Sequence, residues 1–234
     1  MSTVTSQSPL NTDKARFNMI EQQVRPWEVV DSKVLELMTA VRREDFVPAV
    51  YRNLAFADLD VPMTQPAQAG LCMLAPKVQA RLLQDAAVQP TDTVLHIGTG
   101  TGYMAALLGK QAKQVLSLEI VPELAAQARQ NLQQAGITNV DVRQADAAAW
   151  GFKACEALLP YNVIVLSGSV AEVPQDLLML LKVGGRLIAV VGHEPIMRAT
   201  IVTRVSDTSY ATVQPWDYVA PRLKNFPEGS TFRF

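Results

Sequence analysis

Three glycines, Gly98, Gly100 and Gly102, alternate with threonines directly after the apolar run Val94-Leu95-His96-Ile97, and the residues beyond them read as a helix. Such a turn is built to receive a ligand. Glycine accepts positive φ, lets a bound group approach the main chain, and here precedes a helix N-terminus whose amides point at whatever lies in the turn. Glu119 ends the next apolar run, Val115 to Leu118, where a carboxylate can accept hydrogen bonds from ribose hydroxyls. A dinucleotide turn of the form G-x-G-x-x-G requires glycine at position 103, which is Tyr103, so a nicotinamide ligand is disfavoured.

Other reactive side chains are scattered. Cys72 is the tempting nucleophile, but no histidine is placed to activate it, and small cysteines are commonly packing residues. His193 and Glu194 could serve a hydroxyl acceptor as a general base, although Gly192-His193-Glu194-Pro195 reads equally as a polar turn. Trp27, Trp150 and Trp216 could line an aromatic pocket, with core packing as the ordinary alternative. No metal site is expected, because Cys72 and Cys155 lack CxxC or histidine-rich company.

The elements that must position these residues follow from periodicity. Helical spacing predicts helices over 12–24 and 31–41, with Asp31 as N-cap, and a third from Pro76 to the break at Gln89-Pro90. Strands are then predicted over 93–97, 114–119, 141–143, 162–166 and 186–191, with helices over 101–112, 122–135 and 174–181. This alternation implies an α/β fold, a Rossmann-like, doubly wound, mainly parallel sheet. Residues 200–205 and 210–214 are expected to add a C-terminal antiparallel hairpin. Residues 1–11 read as a flexible tail, 12–71 as an N-terminal helical lid, and 72–234 as the ligand-binding domain.

Bulk composition narrows the partners. At 234 residues with a net charge of −1 and no basic run, the chain offers no electrostatic footprint for nucleic acid or an anionic membrane. The apolar stretch 177–191 is interrupted by Lys182, Gly184, Gly185 and Arg186, which excludes a membrane span there. Two cysteines and no apolar leader point to a reducing, cytoplasmic setting. The oligomeric state is not legible.

The spacing G-x-G-x-G followed by Glu119 resembles the cofactor site of the S-adenosylmethionine-dependent methyltransferases, and several further segments extend the likeness. LAPKVQARLLQDAAVQPTDTVLHIG, IGTGTGY, LEIVPELAAQARQNL, YNVIVLSGSVAEVP and LLKVGGRLIAVVG, in that order over 16–192, resemble the protein-L-isoaspartate O-methyltransferase family. The resemblance implies S-adenosyl-L-methionine as cofactor. Gly98, Thr99, Gly100 and Gly102 would lie along its methionine part, Glu119 with Ile120 at the ribose, and Asp146 with Ala147 beside the adenine. Asp146 read alone would simply cap a turn. The acceptor implied is a protein or small-molecule carboxylate.

Two positions depart from the family pattern. Its active-site segment Thr-Ile-Ser-Gln-Pro aligns with Cys72, Met73, Leu74, Ala75 and Pro76, so the serine position is Leu74, which can neither donate nor accept a hydrogen bond. No catalytic residue is therefore assigned, and the acceptor is expected to differ from isoaspartyl peptide. The family acid inside the first motif is His96, read here as a hydrogen-bonded strand residue. The alternative function is a non-catalytic S-adenosylmethionine-binding or scaffold protein.

Overall fold

The computed structural model describes residues 9–149 and 160–228. Trp150 and Cys155 lie outside the described residues. The chain begins with α1 (Pro9–Met19), which continues through a wider turn at Ile20–Val24, and then α2 (Ser32–Ala40). Helix α1 thus starts ahead of the expected boundary at residue 12. The Asp31 side chain caps α2 as expected, accepting from the Lys33 amide at 2.9 Å.

A two-residue antiparallel pair, β1 (Val61–Pro62) with β2 (Cys72–Met73), brackets the loop between them and leads into α3 (Pro76–Ala86). The alternating part follows: β3 (Thr93–Ile97), α4 (Tyr103–Gln111), β4 (Gln114–Glu119), α5 (Pro122–Gln134), β5 (Val140–Gln144), β6 (Tyr161–Val170), α6 (Gln175–Met179), β7 (Leu181–His193), β8 (Ile196–Arg204) and β9 (Tyr210–Asp217). Helix α4 starts two residues later than predicted. Gly102, at φ 99°, holds the loop out of helical geometry until Tyr103.

Seven strands form one sheet in the order β5-β4-β3-β6-β7-β8-β9. Strands β3 to β7 are parallel, while β8 and β9 run antiparallel beside β7. The expected hairpin is present, but it is longer and is continuous with β7 through the turn at His193-Glu194-Pro195. The chain runs outward from β3 to β5 and then returns to lay β6 against β3. That reversal opens a crevice at the carboxyl ends of β3 and β6, where ligands bind in doubly wound sheets.

Period-two alternation divides the strands between two cores. Val94, Val115, Val163 and Ile188 face the layer of α1, α2, α3 and α4, while Leu95, Leu116, Ile164 and Leu187 face α6. Met19, Val24, Leu35 and Met38 from the N-terminal helices share the first core with Val78, Leu82 and Leu107. Their burial ties residues 12–71 to the same face that carries the glycine turn. Among the described residues, no helix is long and apolar enough to cross a membrane.

Candidate active site

A cavity enclosing about 870 Å³, part of it open to solvent, lies at that crevice. This is the size range of small-ligand and cofactor sites. The turn after β3, the end of β4, the segment after β5 and Ser167 of β6 form its floor, so Gly98, Thr99, Gly100, Glu119, Ile120, Asp146 and Ala147 all line it. Gly102 does not; its part is to start α4. Leu71 to Leu74 and Pro221 to Lys224 also line the cavity.

The turn is anchored by the acid predicted to sit beside it. Glu119 accepts from the Gly100 amide at 2.7 Å and from the Val121 amide at 3.0 Å, and it is 5% exposed. Burial raises its carboxyl above the ordinary value, against the opposing pull of the Val121, Gly100 and Ile120 amides and of Lys224. A carboxylate has about four lone-pair sites, so acceptor capacity remains for a ligand's hydroxyls. Asp146 caps its own turn, accepting from the Ala148 amide at 2.9 Å, and its other oxygen accepts from Asn225 at 2.6 Å. The capping role read from the sequence is thus present in a residue that also faces the cavity.

Two apolar side chains sit on the turn from above. A Cβ at Gly100 would lie 2.5 Å from the Met63 sulfur, and one at Gly98 would lie 3.1 Å from a methyl of Leu223. Leu223 belongs to a C-terminal segment pinned to β6: Ser169 donates to the Pro221 carbonyl at 2.7 Å, and Leu223 donates to the Ser169 carbonyl at 2.9 Å. No sequence signal pointed to this segment, because Pro221 to Phe226 has no periodicity and reaches the site only through the return of β9.

His96 is inside the sheet, fully buried and off the cavity wall. Its two ring nitrogens lie 2.8 Å from the Ser117 and Ser167 hydroxyls, and the Ser117 hydroxyl lies 2.6 Å from that of Thr99. Neutral imidazole has one donor and one acceptor, which these serines satisfy, and the seam they form ties the glycine turn to β4 and β6. Burial lowers the histidine to about 3. Because the unfolded chain titrates near 6.5, its stabilising share is complete above that pH and is lost as pH falls toward 3. Urea unfolding at pH 7, 5 and 4 should show a loss of about 1.4 kcal/mol per unit within this window from this residue. His96→Gln should flatten that slope; identical slopes would reject the assignment.

The remaining sequence candidates separate clearly. Cys72 lines the cavity with its sulfur 3.8 Å from Asp60, and burial first, then that carboxylate, pushes the thiol up to about 12. It is a protonated wall group, unfit as a nucleophile. Trp27 and Trp216 pack edge to face at 5.1 Å, and Trp216 donates to Asp85 at 2.7 Å, away from the cavity. His193 is half exposed, 3.6 Å from Glu228, and does not line the cavity either. Leu74 does line it, at 2% exposure.

Two residues that line the cavity, Thr101 and Tyr103, have fully buried hydroxyls with no hydrogen-bond partner among the described residues. Under this wall lies Arg43, fully buried, whose guanidinium is 5.2 Å from the Tyr103 ring centre. It donates to the Ala55 carbonyl at 2.9 Å, to the Leu74 carbonyl at 2.8 Å and to the Gln79 side-chain oxygen.

The family model for protein-L-isoaspartate(D-aspartate) O-methyltransferase matches residues 14–220. Among curated proteins, the chain is similar to a protein-L-isoaspartate O-methyltransferase of Koribacter versatilis, 39% identical over 192 residues and covering 82% of each chain. It is also similar to protein-L-isoaspartate O-methyltransferase 2 of Marinobacter nauticus, 38% identical over 196 residues and covering 83% of this chain and 86% of that one. A candidate protein-L-isoaspartate O-methyltransferase of Plasmodium falciparum, crystallised with S-adenosyl-L-homocysteine, superposes with a TM-score of 0.70 at 19% identity. That match covers 90% of this chain and 98% of the other, and it shows the same fold.

Proposed function

The chain belongs to the protein-L-isoaspartate(D-aspartate) O-methyltransferase family, and on that premise we propose that it transfers a methyl group from S-adenosyl-L-methionine to a carboxylate whose surroundings differ from those of an isoaspartyl residue. The observation that carries the reading is the meeting, in one cavity, of a side-chain-free turn at Gly98 and Gly100 with the buried carboxylate of Glu119. Gly98, Thr99 and Gly100 would hold the methionine part. Glu119 with Ile120 would hold the ribose, and Asp146 with Ala147 the adenine.

When bound, the cofactor supplies an electrophilic methyl on a sulfonium. The protein's task is alignment and exclusion of water. Leu71, Met73, Leu74 and Met104 give the wall beside the turn an apolar surface suited to that task. A carboxylate acceptor is ionised near neutral pH and needs no base. This agrees with a cavity whose thiol is raised to about 12 and whose phenol, Tyr103, burial also raises to about 12. On the same reading, residues 12–71 act as the lid over the 72–234 domain, with Met63 reaching the glycine turn. His96, one of the two departures from the family pattern, does not line the cavity, so it gives no support to a scaffold without turnover.

Leu74 motivates the altered acceptor: its side chain offers no hydrogen bond, and its carbonyl is taken by Arg43. Methyl transfer from labelled cofactor to an isoaspartyl peptide should be slow, and Leu74→Ser should raise it up to about tenfold, the worth of one hydrogen bond. Fast transfer by the unaltered chain would remove the altered acceptor. Absence of transfer to any carboxylate in a cell extract would remove the enzymatic reading.

A further inference from the structure

The segment Pro221 to Phe226 is fastened to the carboxyl end of β6, where Arg222 bridges to Ser169. Besides the two main-chain bonds at Ser169, the Ser169 hydroxyl donates to the Ala220 carbonyl at 2.8 Å and Arg222 donates to the Gly192 carbonyl at 3.0 Å. Phe226, 8% exposed, is held in the second core. Of these six residues, all but Asn225 line the cavity.

Three successive residues of the segment address the three groups read as hosts of the cofactor, in the same order along the chain. A methyl of Leu223 packs on Gly98, the Lys224 charge acts on Glu119 against the effect of burial, and Asn225 donates to Asp146 at 2.6 Å. The other influences on Glu119 are the amides of Val121, Gly100 and Ile120, so Lys224 is the charged group among the described residues that opposes its burial. Asn225 adopts φ 64°, a left-handed conformation that asparagine tolerates, and its turn aims one side chain at Asp146 while Lys224 and Phe226 line the cavity. Asp146 is thereby fixed at both oxygens: Oδ1 accepts from the Ala148 and Ala149 amides at 2.9 and 3.3 Å, and Oδ2 from Asn225. A carboxylate only accepts, so the edge of a purine that meets it must present a donor, the 6-amino group of adenine, whereas a 6-oxo group would meet it oxygen to oxygen. Phe226 adds an aromatic residue to the same cavity, the type of side chain on which a base stacks.

Resting on the methyltransferase reading above, we propose that the 221–226 segment is the outer wall of the cofactor's adenosine half and makes the site selective for a 6-aminopurine. Phe226 faces the base. Asn225 holds the Asp146 carboxylate in the orientation that accepts from the 6-amino group, and Lys224 supplies the positive charge that keeps Glu119 an acceptor for the ribose. Lys224 and Asn225 are thus positioning residues, acting through Glu119 and Asp146, while Phe226 touches the ligand. A base that offers a carbonyl at the same edge leaves the fixed carboxylate unpaired against it, which is the basis of the selectivity.

The test compares S-adenosyl-L-homocysteine with S-inosyl-L-homocysteine, which carries a carbonyl in place of the 6-amino group, by calorimetry on the full chain. The unaltered chain should bind the adenosyl ligand about tenfold tighter or more. Asn225→Ala should reduce that ratio to about threefold or less. Phe226→Leu should instead weaken both ligands by about fivefold or more and leave the ratio in place. Lys224→Met should move the loss of adenosyl-ligand affinity on acidification to higher pH, because burial then raises Glu119 unopposed by that charge, and Lys224→Arg should restore the original profile. Lys224 and Asn225 are exposed, so these variants leave the packing intact and decide the matter even should Phe226→Leu fold poorly. Equal binding of the two ligands by the unaltered chain, an unchanged ratio in Asn225→Ala, or an unchanged pH profile in Lys224→Met overturns the proposal. Failure of S-adenosyl-L-homocysteine to bind the unaltered chain at all would instead strike the methyltransferase reading, and the proposal with it.

Discussion

Glu119→Ala should weaken S-adenosyl-L-homocysteine binding by at least about 100-fold in calorimetry, with the fold retained. Hydrogen bonds to a charged group contribute roughly 1.5–3 kcal/mol each, and every 1.4 kcal/mol is tenfold in affinity, so losing the two from a ribose diol reaches that level. The same change frees the Gly100 amide, now held at 2.7 Å, and loosens the turn that must meet the ligand. Glu119→Gln keeps the size but not the charge, so it should fall between the two. Burial raises this carboxyl, so ligand affinity should begin to drop on acidification at a higher pH than an exposed glutamate would dictate. Unchanged affinity in Glu119→Ala would show that the acid is only a brace for the turn.

Gly100→Val should abolish detectable ligand binding while costing the fold comparatively little. The position has φ 55°, a conformation that costs a non-glycine residue about 1–2 kcal/mol and a β-branched one more. A Cβ would stand 2.5 Å from the Met63 sulfur, the flexible end of a side chain that can swing aside, so the fold can adapt. The valine methyls would then fill the cradle itself, where no such relief exists. A thermal melt lowered by several degrees with no binding is the expected pair of results; retained binding would place the ligand elsewhere in the cavity.

The glycine turn, Glu119 and the parallel strands were legible because each rests on local rules: a short, nearly continuous apolar run in β3 and β4, glycine where φ is positive, an acid at a strand end. Asp31 at the start of α2 is another such local signal. Strand lengths were not. β6 runs to Val170 and β7 begins at Leu181 because neighbouring strands extend the pairing past the apolar runs that mark them. The polar seam through His96 depends on which residues face it across β4 and β6, information that pairing alone creates. Leu223 and Met63 could not be placed over the turn from sequence for the same reason, and Arg43 looked like one arginine in a charged run, Arg42-Arg43-Glu44-Asp45, until its three donors were seen to turn inward. Local chemistry predicts the cradle; tertiary return of distant segments makes its walls.

The most direct test of the account is a crystal structure with S-adenosyl-L-homocysteine at saturating concentration. The predicted result has the ribose hydroxyls on Glu119, the sulfur beside Gly98 and Gly100, and Met63 and Leu223 displaced from their present contacts with the turn. A structure obtained under the same conditions with those two side chains still seated on the glycines, and no ligand in the cavity, would contradict it.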